Sequence, residues 1–251
     1  MLQKFDLEEH KKFIKKLKIK EKPSEIEEEF YKKVKKYLVF IKWIPWLKMV
    51  AVGNSISMNC STKNSDIDLF IVTSPKKMWF VRIIITIIFQ ILWVRKTPKK
   101  HAGRFCLSFF STTDWMNFWN FALEKDIYLY FWIIYFKPIL NFDNTYEKFL
   151  EKNSSWADFW EYEDFFEENR KYIKYWNTWF SEDTLEKREK IRKEKSIFDN
   201  LWNFLDKILK KIFLKKTLKN FEKLWKPYGI IINDNMLKFH NNDVRKEFLE
   251  K

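Results

Sequence analysis

Glycine is almost missing from this chain, with three residues in 251. That scarcity excludes a glycine-rich loop or a flexible low-complexity linker, and it makes each glycine's position informative. Cysteine is equally rare. Cys60 and Cys106 offer neither a disulfide framework nor a metal-ligand spacing, and both stand in or beside apolar stretches. Of the three histidines, His10 and His240 have no partner at catalytic or ligand spacing. His101, inside Lys99-Lys100-His101, reads as a phosphate contact rather than a base.

Long hydrophobic runs are missing too. MWFVRIIITIIFQILWV, residues 78 to 94, is interrupted by Arg82, Thr86 and Gln90, and IYLYFWIIYF, residues 127 to 136, stops at Lys137-Pro138. Both fall short of the roughly 20 apolar residues a membrane span needs. Residues 1 to 20 are charged throughout, unlike a signal peptide, so a reducing cytoplasm is the expected compartment.

Acidic residues are absent from Leu69 to Thr113, where Lys76, Lys77, Arg82, Arg95, Lys96, Lys99, Lys100 and Arg104 supply eight positive charges. A formal net charge of +14 spread evenly would be bland, but this local block creates a field suited to phosphates. Aromatic residues, at 20%, are in excess. They could stack nucleobases, although an aromatic core accounts for most of them.

Hydrophobic periodicity and punctuation give the order of elements. A basic helix covers 6 to 20 and is broken at Lys22-Pro23. Ser24 and Glu27 form a capping box that opens a second helix running to about Val39, with Phe30, Val34 and Leu38 on one face. Residues 46 to 52 read as a strand, Gly53 as a corner, and 66 to 73 as a second strand. Next comes a helix over 78 to 94, on which Arg82, Thr86 and Gln90 make one wet stripe along an otherwise buried surface. After a loop from Lys96 to Arg104, FCLSFFS at 105 to 111 is a third strand.

From Asp114 onward helix dominates. Ile197, Leu201, Leu205, Ile208 and Ile212 recur at helical spacing within residues 196 to 225, and the phase slips near Lys215. A helix packed over the domain is the ordinary reading. A basic amphipathic helix on a membrane surface is the other. Residues 229 to 240 read as two short strands around Asn233-Asp234-Asn235, with Asn242 or Asp243 capping a last helix.

The fold class is therefore α+β: a small mixed sheet with packed helices and a helical C-terminal region. Its expected organisation is N-terminal helices at 1–45, a core at 46–125, and a mostly helical region at 126–251 with a hairpin near 230–240.

The stretch VGNSISMNCSTKNSDIDLFIVT, residues 52 to 73, carries the chemistry. Asp66 and Asp68 are two apart on a strand, so their carboxylates point to one side. Such a pair repels itself unless a cation lies between, and hard oxygen ligands suit Mg²⁺ (or Mn²⁺) bridged to substrate phosphates. The corner at Gly53, Asn54 and Ser55 adds neutral donors for those phosphates. The bland alternative is a strand-edge acidic pair, with Asn64 or Ser65 capping a turn.

This stretch resembles the signature of the DNA polymerase β-like nucleotidyltransferase superfamily, a Gly-Ser corner followed by a short helix and Ser-Asp-x-Asp-apolar. Asn-Ser-Asp-Ile-Asp-Leu also resembles predicted bacterial nucleotidyltransferases. The resemblance implies transfer of an NMP from a nucleotide triphosphate to an acceptor hydroxyl. Asp66 and Asp68 would be the catalytic and metal-binding residues, with Gly53, Asn54, Ser55 and Ser65 on the nucleotide. The basic loop permits a nucleic acid or a phosphorylated acceptor as second substrate.

Two departures stand out. Counting back from Asp66, the family serine falls on Ser55 and the family glycine on Asn54, with Gly53 one position early. Asn tolerates the left-handed conformation the corner needs. Active members also carry a third carboxylate on the next strand, where FCLSFFS has none. Its place should be Ser108 or a neighbour on the face of Cys106, Ser108 and Phe110, opposite Leu107 and Phe109. Asp114, the first acid after Asp68, lies too far along and should cap a helix beginning at Trp115. Weak or absent turnover with Mg-NTP binding retained is the expectation. A non-catalytic nucleotide- or RNA-binding protein and a membrane-peripheral protein are the alternatives.

Overall fold

The computed structural model of the protein describes residues 2–177, 186–188, 190–191, 193–194, 199–223, 229–239 and 244–248. The expected cap at Asn242 or Asp243, and the positions of Ile197, Trp225 and His240, lie outside them. The chain is α+β, built on a mixed six-stranded sheet whose strands lie in the spatial order 137–141, 47–52, 67–73, 105–112, 236–239 and 230–232.

Helix α1 (Leu7–Leu17) opens on a capping box between Asp6 and Glu9, and α2 (Glu25–Leu38) follows the one expected from Ser24 and Glu27. Strand β1 (Leu47–Val52) leads through Gly53 into the single turn α3 (Asn54–Ser57) and on to β2 (Ile67–Thr73). Helix α4 (Met78–Ile91) then carries the chain to β3 (Phe105–Thr112), which runs parallel to β2. After α5 (Ile127–Tyr135), β4 (Lys137–Asn141) adds to the free side of β1. Strand β4 was not legible in the sequence, because Lys137-Pro138 reads as the stop of the apolar run before it. Proline is tolerated there because β4 is an edge strand. Helices α6 (Thr145–Ser154), α7 (Glu163–Asn177) and α8 (Asp199–Lys223) precede the hairpin β5 (Ile230–Ile232) and β6 (Met236–Phe239), which joins β3.

The sheet separates two apolar layers. Met49, Ala51, Phe70, Val72, Phe109 and Met236 face one, which contains His10 and Phe13 of α1 and most of α5. Val50, Val52, Leu69, Ile71, Phe110 and Leu237 face the other, beneath α2, α4 and α8. A bulge in β3 decides which phenylalanine goes where. Asp68 pairs with Cys106 but Phe70 with Phe109, so β3 carries one extra residue between them. The simple alternation expected for FCLSFFS therefore breaks at Leu107-Ser108. Phe109 turns to the first layer and Phe110 to the second.

Two helix faces also differ from expectation. On α4, Val81, Ile85 and Phe89 are buried, whereas Ile87 and Ile91 are exposed. Arg82 does not lie on a wet edge: its guanidinium sits over Trp79 and Phe239, and burial lowers its pKa to about 10. On α8, Trp202, Leu209, Phe213 and Leu214 pack on the second layer, while Leu201, Ile208 and Ile212 of the expected face are exposed. The helix runs unbroken past Lys215. Its docking is fixed by Asp206, whose carboxylate accepts from the Phe80 N–H at 2.8 Å and so caps α4 in place of a side chain from Lys77.

Candidate metal and nucleotide site

Asp66 immediately precedes β2, Asp68 is its second residue, and the parallel register sets Cys106 of β3 directly beside Asp68. One ligand atom from each of these three residues lies within 4.8 Å of the other two. The β3 side chain beside the acidic pair is thus Cys106, a neighbour of Ser108 on the expected face. Its Sγ donates to the Ser108 hydroxyl at 3.1 Å. Burial, and then the charge of Asp68, push the Cys106 thiol far above its ordinary range. Asp114 is at the far end of β3. It sits inside the 3₁₀ turn Thr113–Trp115, with Thr112 rather than Asp114 at the cap position.

The corner is built from an unusual division of labour. Asn54 takes the left-handed conformation at φ 54°, while Gly53 is extended at φ −122°. Gly53 is needed for space instead, since a Cβ there would meet the Trp132 indole at 3.0 to 3.2 Å. Asn54 donates through Nδ2 to Asp68 Oδ2 at 2.8 Å and accepts through Oδ1 from Trp132 Nε1 at 2.9 Å. It therefore holds Asp68 against α5 and fixes its carboxylate.

Ser55 is held from behind. Its hydroxyl is 3.5 Å from that of Ser61, whose N–H donates to Glu27 Oε1 at 2.7 Å. Glu27 is fully buried. Burial works to raise its pKa, but hydrogen bonds from Ser24 and Ser61 outweigh it, so the net shift is down. The capping residue of α2 thus also supports the corner. Ser65 uses its side chain locally, accepting from the Thr62 N–H at 3.0 Å, and its carbonyl accepts from the Gly103 N–H at 2.7 Å.

Lys96 completes the charge arrangement. Its ammonium donates to Asp66 Oδ2 at 2.6 Å. Burial works to lower its pKa, but the hydrogen bond to Asp66 and the nearby negative groups, Asp68 among them, prevail and raise it. Lys96 is brought there by its backbone, whose N–H donates to the Phe105 carbonyl at 2.9 Å. A cavity of about 300 Å³ opens beside the corner, lined by Asn54, Ser55, Phe109, Trp132 and Arg245 among others.

The two carboxylates suit a hard divalent cation, and the neutral, buried thiol does not. Sequence reasoning identified the pair and the corner but missed Cys106, Lys96, Trp132 and the second role of Glu27. For Cys106 and Lys96 a signal existed, in the strand next to β2 and in the acid-free block. For Trp132 there was none, because it arrives from 78 residues away. No family model, curated protein or solved structure matches the chain.

Proposed function

We propose that this chain is a nucleotidyltransferase that moves an NMP from an NTP to an acceptor hydroxyl, slowly, at a site holding Mg²⁺ or Mn²⁺ on Asp66 and Asp68. The observation that carries the reading is the conjunction of the acidic pair with the corner: Asn54 bonds directly to Asp68 and is followed by Ser55. A divalent cation bound there would neutralise and align triphosphate oxygens. Asn54 orients Asp68, Ser55 offers a hydroxyl to the phosphates, and Phe109 and Trp132 offer faces to the base in the adjoining cavity. Cys106, protonated and soft, supplies no third carboxylate, which is the reason for slow turnover.

Two measurements test this. Calorimetric titration with an NTP should show binding that depends on divalent metal and is lost in Asp66→Asn and Asp68→Asn. Turnover of a labelled NTP should rise in Cys106→Asp. Metal-independent NTP binding that survives Asp66→Asn would overturn the proposal. The acceptor class left open by the basic loop includes nucleic acid and phosphorylated small molecules.

A further inference from the structure

Helix α8 is 25 residues long, and among the described residues no helix is long and apolar enough to cross a membrane. Yet α8 leaves Leu201, Phe204, Ile208 and Ile212 exposed at 51%, 58%, 38% and 58%. At 3.6 residues per turn these four fall within an arc of roughly 80° and extend about 17 Å along the helix. The side chains that anchor α8 to the domain, Trp202, Asp206, Leu209 and Phe213, lie on another face. The exposed stripe is therefore not a by-product of a helix that failed to dock.

Charge decides what the stripe can meet. From residue 207 to residue 221 α8 has no acidic residue and six lysines, Lys207, Lys210, Lys211, Lys215, Lys216 and Lys219. Lys210 turns inward to Asp234, and Lys211 and Lys216 flank the arc. A second copy of this helix would set lysines against lysines. A bilayer with anionic headgroups accepts both features at once, apolar side chains into the acyl boundary and ammonium groups among the phosphates. Helix α4, on which α8 packs, also leaves Ile87 and Ile91 exposed and lies within the other acid-free stretch.

We infer that α8 is a membrane-surface helix that docks the protein on anionic lipid, through Leu201, Phe204, Ile208 and Ile212 with the flanking lysines. The inference is independent of nucleotidyl transfer. The test is sedimentation of the full chain with vesicles of phosphatidylcholine alone or with added phosphatidylglycerol, at low and high sodium chloride. The protein should pellet with the anionic vesicles, and salt should weaken this. Phe204→Asp with Ile208→Asp should cut vesicle affinity by roughly tenfold or more, and each of Lys211→Gln and Lys216→Gln by roughly fivefold, with an unchanged circular-dichroism melt. Failure to pellet with anionic vesicles would overturn the inference, as would pelleting that the stripe variants leave intact. A concentration-dependent dimer that Phe204→Asp with Ile208→Asp dissolves, without vesicle binding, would assign the stripe to a second copy instead.

Discussion

Gly53 and Asn54 exchange the tasks that a glycine at a corner usually performs alone. Asn54 accepts the left-handed backbone and uses its amide to join Asp68 to Trp132, while Gly53 leaves room for the indole. Trp132 cannot retreat easily, because Phe70, Phe109, Phe118 and Phe136 surround it. Gly53→Ala should therefore cost about 1–3 kcal/mol by overpacking, read as a lower urea midpoint, although its φ is compatible with alanine. Lys96 permits a second prediction. Its ammonium occupies an oxygen of Asp66 that a metal would need, but the pair is partly exposed and worth only about 0–1 kcal/mol. Lys96→Met should tighten Mn²⁺ binding by up to about fivefold at low salt, and the gain should shrink as salt is added. Weaker Mn²⁺ binding in Lys96→Met would show that Lys96 supports the site rather than competes for it.

At the scale of elements, α4 illustrates how pattern and position diverge. An apolar run with one polar stripe leaves several ways to rotate the helix, and packing chose the one that buries Val81, Ile85 and Phe89. Ile85→Ala should then destabilise by about 2–5 kcal/mol, whereas Ile87→Ala should stay within roughly 0.5 kcal/mol of the parent. Equal losses in denaturant unfolding would mean that the helix is rotated from this position. Asp206 is the link between α4 and α8, and removing it takes the cap from one helix and the anchor from the other. Asp206→Ala should cost about 1–2 kcal/mol in the same assay.

For the whole molecule, His10 ties the N-terminal helix to the first layer. Its Nε2 lies 2.9 Å from the Tyr135 hydroxyl, its ring stacks on Phe131, and burial lowers its pKa to about 4. The unfolded chain takes up that proton near pH 6.5, the folded one only near pH 4. Between those values the unfolded state binds more protons, so stability rises with pH across the window and is lost on acidification. The His10 contribution should be on the order of 2–3 kcal/mol between pH 7 and pH 4. Comparing urea midpoints of the parent and His10→Phe across this range would isolate it. A parent whose acid slope matches that of His10→Phe would refute the assignment.

What the sequence determined by itself was local. The capping box at Ser24 and Glu27, the strands around the corner, the same-facing pair Asp66 and Asp68, and the hairpin near 230–240 all follow from spacing within about a dozen residues. The left-handed Asn54 followed from residue chemistry in the same way. Tertiary structure decided whatever depended on distant partners. The β2–β3 register put Cys106 beside Asp68, and a bulge after that pair divided Phe109 and Phe110 between the two layers; one extra residue in a strand leaves no mark in composition. Pro138 became an edge strand because β1 had a free side. Helix α8 turned its other face to the core because Asp206 found the unsatisfied N–H groups of α4, a long-range hydrogen bond that periodicity cannot register.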